Sequence, residues 1–477
     1  MKQKPRRIYL LDPKDIGSEA IAVTFAKTSR SPKPFDEIAA ELSDERAARF
    51  HEKWVIGYGH ASVAEHAVLH FALENISRLA IENIEGNRLA SYTEKSTRYQ
   101  IWDQDAFYIP EELQSYSLEK DYAQCCQNLF QSYLDLLTRV SKWLTSTNAK
   151  EDGESSKAYT RRLHAAAVDI CRFLLPSAAL ANVGMTINAR ALEYALCKML
   201  SSPLKEVQAI GEECRQVGQS KTPTLIKYAK CNEYIINTRE KMRQKTLNIP
   251  DGSKKCDFNL LSWDPDGEDM ILAAILFRFG DQASYADCVT LVTTLNQAEK
   301  EALVNELMAT RGKFDQPLRE FEYAHMSFEV VMDQGAYFEF KRHRMMTQTV
   351  QSLSANLGFA IPRGIPESGC EAAYLQAMRG AADLYQRIAD WNLNVASYVV
   401  PNGFNRRVIF DMNLREAFHF CRLRAAENAH FSIRRVAQQV VESIQEVYPL
   451  LGAYLDVPEV ETSQDIAEGY FTSLKAF

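Results

Sequence analysis

The chain has 477 residues, 46% of them apolar and 25% charged, with a formal net charge of −7. That length supports two or more domains with a substantial core, and the balance of apolar and charged residues excludes a disordered chain. The acidic total argues against a nucleic-acid binder, and the most apolar short run, Ile271 to Phe277, is far too short to cross a bilayer, so no membrane association is expected.

The basic start, Met1 to Arg7, leads directly into Ile8-Tyr9-Leu10-Leu11 without a long apolar core, so no secretory signal is expected. The 10 cysteines include no C-x-x-C pair. No metal site or disulfide framework is therefore expected, and the expected compartment is the reducing cytoplasm.

Taken in chain order, the first half shows Ile8 to Leu11, an apolar run from Ala20 to Phe25, and a helical pattern placing Ile38, Leu42, Phe50 and Trp54 on one face. A strand-like segment, His66 to Glu74, follows Glu65 and alternates through Leu69, Phe71 and Leu73. Arg172 then stands four residues before Pro176, and Asn188-Ala-Arg190 follows. The second half repeats the order. Phe258 to Leu261 echoes Ile8 to Leu11, and Met270 to Phe277 echoes the apolar run. After Glu322, residues Ala324, Met326, Phe328, Val330 and Met332 alternate with polar neighbours, the period of a strand with one buried face. Ser397 stands four residues before Pro401, and Asn413-Leu-Arg415 follows at the spacing seen before. The shared order indicates a tandem duplication: a first half over 1–225, a linker region over 226–255 containing Asn248-Ile-Pro-Asp-Gly-Ser253, and a second half over 256–477.

Three clusters carry chemistry. Ser91-Tyr-Thr-Glu94-Lys-Ser96-Thr-Arg98-Tyr99 alternates an acceptor, a hydroxyl and a fork-shaped cation, which in an extended chain project to one side and suit a sugar and a phosphate. Taken alone, Ser91-x-x-Glu94 is more simply a helix capping box ahead of a solvated first turn. Arg342-His343-Arg344 follows the alternating strand and is either a grip on an anionic cofactor or a solvated basic strand end. Asn413, Arg415, His419, Arg424 and Asn428 share a stretch that reads as helix from about Leu414, interleaved with Phe418, Phe420 and Cys421. A buried arginine there calls for an anionic partner.

Together these residues resemble the flavin-dependent, or alternative, thymidylate synthase family, whose signature is R-H-R-x-x-S-x-N-E-x-S-x-R-Y. A G-H-x-[ST]-x-x-E element precedes it; R-x-x-L-P, N-x-R and a late L-R follow. The first half carries Gly59-His60-Ala-Ser62 with Glu65, keeps Glu94, Ser96, Arg98 and Tyr99, and keeps Arg172, but has Gly86-Asn87-Arg88 for R-H-R and Met199 for the late arginine. The second half is the complement. It keeps Arg342-His343-Arg344, Asn413, Arg415 and Arg424, while Val350, Ser352 and Ser354 replace Glu, Ser and Arg, and Ser397 replaces the R-x-x-L-P arginine. Glu339 stands where the family has glutamine, Thr93 stands where it has asparagine, and position 428 is Asn where some members have His.

The resemblance implies an α+β protein of two tandem domains of this family, each a mixed β-sheet flanked by long helices. It implies reductive methylation of deoxyuridylate (dUMP) to thymidylate with FAD, methylenetetrahydrofolate as carbon donor and NADPH as reductant. Deoxyuridylate would be held by Glu94, Ser96, Arg98, Arg172, Arg342 and Arg424, with Arg424 the catalytic residue at the uracil edge. His60, Ser62, Glu65, Glu322, Arg342, His343, Arg344, Asn413, Arg415, His419 and Asn428 would serve FAD and folate. A homodimer imitating the family's homotetramer is the expected assembly. The competing expectation is an inactive flavin- and nucleotide-binding protein with a regulatory role.

Overall fold

The computed structural model describes residues 7–12, 15–28, 31–42, 47, 49–51, 61–246, 249, 257–458 and 461–477. They form two compact units: the first lies within Met1–Lys95, Pro110–Gln114 and Leu180–Pro250, the second within Ser96–Ile109, Ser115–Ala179 and Asp251–Phe477. Both mix helices with open sheets, the α+β class that the sequence predicts.

The first unit holds an antiparallel sheet of β1 (Val68–Ser77), β2 (Ala90–Glu94) and β3 (Leu180–Asn188) in the order β1-β3-β2. In β3 Ala181, Val183, Met185 and Ile187 are buried at every second position, as a sheet with one covered face requires. Ser77 and Asn188 cap the helices that follow β1 and β3 by accepting from Ala80 N and Ala191 N, each at 2.9 Å.

The second unit has a four-stranded antiparallel sheet, β4 (Phe258–Trp263), β5 (His325–Asp333), β6 (Thr347–Val350) and β8 (Asn405–Asn413), ordered β4-β5-β8-β6. A separate pair is formed by β7 (Phe359–Pro362) and β9 (Phe471–Ala476). The alternation read for 324–333 holds as far as Val330: Met326, Phe328, Val330 and Met332 are buried, and Phe328 stacks on Phe410 at 5.0 Å, but Val331 and Asp333 are buried too, so the end of the strand is covered on both faces. Two long helices, Glu119–Thr147 and Glu371–Ala396, pack on each other within this unit although they come from opposite halves of the chain.

The duplication is visible in the strand registers. Val68 faces Asn188 as His325 faces Asn413, and Glu94 faces Val183 as Val350 faces Val408. Ser77 and Asp333, one at the end of each equivalent strand, both cap the next helix. Between these fixed points β1 carries one residue more than β5, taken up by a bulge at Asn75, whose φ is 57°.

Three local expectations change. Ser91 to Glu94 lies in β2, so the capping-box reading gives way to the extended one. The described helix around Ile38 is Phe35–Ala40, and Leu42 lies beyond its end, so Ile38 and Leu42 do not share one continuous helix; Trp54 is outside the described residues. The helix beginning at Leu414 stops at Arg424, which leaves Asn428 in the following turn and off its face. No helix among the described residues is long and apolar enough to cross a membrane.

Candidate functional site

The second unit gathers arginines from both halves of the chain. Arg172 sits in the short 3-10 turn Arg172–Leu174, which ends the helix Ser156–Cys171. Its side chain is buried, with Nη2 donating to Gly335 O at 2.8 Å and Nη1 to Glu339 Oε1 at 3.3 Å. Glycine at 335 permits this approach, because a Cβ there lies 3.1 Å from Arg172 Nη2 and 3.0 Å from Asp333 Oδ1. Arg172 Nε is buried without a hydrogen-bond partner among the described residues.

Glu339, on the helix Gln334–Phe340, joins this arginine to Arg424: its Oε2 accepts from Arg424 Nη1 at 3.3 Å. Burial alone would raise the Glu339 carboxyl, but Arg172, with Arg98 and Arg424, outweighs that and holds it below the ordinary glutamate value. Arg424 closes the helix Leu414–Arg424, and its Nε donates to His343 Nε2 at 2.9 Å. Since Nε2 accepts, the proton of a neutral His343 is on Nδ1, which faces Glu416 Oε1 at 3.3 Å. Burial, reinforced by Arg424, keeps His343 well below its usual pKa and therefore uncharged at neutral pH. Burial pushes Glu416 up to about 7.

Arg98 grips Asp169 with two parallel bonds, Nε to Oδ1 at 2.9 Å and Nη2 to Oδ2 at 2.8 Å, while Nη1 donates to Asn428 O at 3.1 Å. Bidentate pairing fixes the guanidinium plane. Ser96 Oγ accepts from Arg98 N at 3.2 Å. Buried His430 donates from Nε2 to Asp169 O at 3.1 Å and accepts Ser432 N at Nδ1, also 3.1 Å. Arg98 and Asp169 open onto a cavity of about 730 Å³ whose wall includes Trp143, Phe431, Arg434 and Tyr470. That volume is in the usual range of small-molecule sites. Phe431 stacks on Tyr470 at 5.2 Å, and the Arg434 guanidinium lies 4.9 Å from the Tyr470 ring centre.

The sequence-derived set is thus partly assembled. Ser96, Arg98, Arg172, Arg342, His343, Arg344, Asn413, Arg415, His419, Arg424 and Asn428 all lie in the second unit, as does Glu322. Arg342 is exposed, and its charge acts on both His343 and Arg424; the His419 ring is 5.6 Å from that of His343. Glu94, Ser62 and Glu65 belong to the first unit, and His60 is outside the described residues. Glu94 is buried there against Arg78 at 3.0 Å, and Ser62 is exposed.

Glu65 pairs with Arg190, and Glu322 pairs with Arg415 at 2.9 Å. The same ion pair recurs at equivalent places in both copies, which a tie between the 3-10 turn before β1 or β5 and the helix after β3 or β8 explains without a ligand. Asn413 likewise caps its helix, accepting from Glu416 N at 2.9 Å. Asp169, Glu416 and His430 were not singled out from the sequence. The Asp169-x-x-Arg172 spacing was the available signal for the first, since residues three apart share a helical face; no comparable pattern marks the other two.

Comparison with known proteins follows the same lines. A family model described as thymidylate synthase complementing protein matches residues 11–224 and again 259–450. A UPF0159 protein of Chlamydia muridarum is 29% identical over 433 residues, covering 87% of this chain and 82% of that protein. A UPF0159 protein of Thermoplasma acidophilum is 25% identical, covering 87% and 89%. A flavin-dependent thymidylate synthase of Clostridium tetani is 25% identical over 240 residues, which is 50% of this chain and 88% of that protein.

Proposed function

Because the chain belongs to the thymidylate synthase complementing protein family and carries its domain twice, we propose that it is a flavin-dependent thymidylate synthase that methylates deoxyuridylate, with methylenetetrahydrofolate as carbon donor and NADPH as reductant. The observation that carries this reading is the linked set Arg172–Glu339–Arg424, in which arginines from complementary motif copies meet in one unit.

The second unit's residues suit an anionic, flat cofactor: Arg342 is exposed, its charge acts on His343 and Arg424, and the His343 ring lies 5.6 Å from that of His419. Arg342, Arg344, His419 and the Asn413 side chain would hold the flavin, which supplies the hydride chemistry when bound. Arg424 would meet the pyrimidine edge and favour its N3-deprotonated form, since a guanidinium stays charged and offers paired donors. His343 is the positioning residue, fixing Arg424 through Nε. Arg172 and Arg98 would take the phosphate and sugar, with Arg342 adding charge.

The test is product formation by purified protein given FAD, NADPH, methylenetetrahydrofolate and deoxyuridylate without oxygen. Thymidylate that depends on all four supports the proposal. One observation favours a non-catalytic binding role instead: Arg98, Arg172 and Arg424 are already paired with the chain's own carboxylates. Yellow protein that binds deoxyuridylate and yields no product would establish that second reading.

A further inference from the structure

Glu339 is 7% exposed, and its two oxygens are committed to different guanidiniums, Oε1 to Arg172 and Oε2 to Arg424, each at 3.3 Å. Asp169 holds Arg98 through both of its oxygens. Three cations that would recognise a nucleotide therefore face two carboxylates of the chain itself. In a buried site like charges repel strongly, so a ligand anion cannot simply join Glu339 between the two arginines. It has to take their donors from it.

We propose that Glu339 is an internal competing anion and the specificity-determining residue of this site. A 5′-phosphate or an N3-deprotonated pyrimidine gains contacts to Arg172 and Arg424 only by displacing the carboxylate, and the displaced carboxylate opposes its charge. The advantage that a phosphate ordinarily confers is cancelled, so the site holds a pyrimidine nucleoside about as well as its nucleotide. An uncharged ligand carries no charge for the carboxylate to oppose and needs no displacement of it. This inference rests on the reading of the cluster as a pyrimidine-nucleotide site.

The experiment is calorimetric titration of the full chain and of Glu339→Gln with deoxyuridylate, deoxyuridine and sodium sulfate, with melting curves to verify folding. Glutamine keeps the shape and one oxygen acceptor while removing the charge. The wild-type protein is expected to bind deoxyuridylate and deoxyuridine within about threefold of each other. Glu339→Gln is expected to gain about tenfold or more for deoxyuridylate and for sulfate, a change of about 1.4 kcal/mol, with deoxyuridine unchanged.

Wild-type binding of deoxyuridylate about tenfold tighter than deoxyuridine, with no gain in the variant, overturns the proposal and leaves the pyrimidine-nucleotide reading intact. A sulfate gain in the variant without binding of either pyrimidine supports the competing anion and rejects the pyrimidine reading. If Glu339→Gln does not fold, the wild-type comparison of nucleotide with nucleoside decides alone.

Discussion

Arg424 is fixed by two different partners, a neutral imidazole nitrogen of His343 and the charged Glu339. Its equivalent in the other copy, Met199, is 2% exposed and packs into the first unit. Arg424→Ala is expected to abolish thymidylate formation. Met199→Ala is expected to leave turnover unchanged and to cost about 2–5 kcal/mol of stability through the cavity it creates. Equal loss of turnover from both, in a steady-state assay, contradicts the assignment of one working copy at this position.

Glu416 gives a pH prediction at the same scale. Its folded carboxyl is raised to about 7 by burial, so the folded state binds a proton that the unfolded state releases near the ordinary glutamate value. Stability therefore falls as pH rises through that window, and the cost is complete above about 7. Glu416→Gln keeps an acceptor for His343 Nδ1 and removes the cost, so its melting temperature should gain more at pH 8 than at pH 5. A gain confined to the acid side would be inconsistent with a raised carboxyl. Residue identity made Arg98, Arg172 and Arg424 legible in the sequence, because guanidiniums in motif order are distinctive. The carboxylates around them were harder to read: Asp169, which pairs with Arg98, and Glu416, which faces His343, are common residue types whose role depends on burial.

Among the elements, the helix caps after the two central strands are a matched pair. Asn188 and Asn413 each accept the backbone N–H three residues on, at 2.9 Å. Alanine at either position should cost about 1 kcal/mol, measurable by denaturant unfolding. Under the proposed function only Asn413→Ala also lowers turnover; equal turnover losses would remove Asn413 from the flavin site. The strand at 325–333 was legible because large apolar residues stand at every second position, Met326, Phe328, Val330 and Met332, with no bulge in its pairing to β8. Strand β1 was less so, since the bulge at Asn75 shifts its pairing by one residue between Leu73 and Ile76. The end of the helix at Arg424 was not legible: Ala425 and Ala426 favour continuing it, but the chain turns there and His430 reaches Asp169.

On the scale of the whole molecule, motif order revealed the duplication, and the family match at 11–224 and 259–450 bears it out. The grouping of the chain in space was not legible. Ser96–Ile109 and Ser115–Ala179 precede the linker region in sequence but lie in the second unit, carrying Arg98 and Arg172 with them. Local patterning sets element type, whereas which surface an element joins is a tertiary choice that periodicity does not encode. The site assembled from both halves therefore depends on the contact between Arg172 and Glu339, which are 167 residues apart in the chain. A double-mutant cycle in stability with Arg172→Met and Glu339→Gln tests that contact without requiring activity. Breaking one side of a buried ion pair should cost about 3–5 kcal/mol, and the double variant should lose less than the two single losses combined, by about 1–3 kcal/mol. Additivity within about 0.5 kcal/mol would mean that Arg172 does not pair with Glu339, and the site assembled from both halves would not exist.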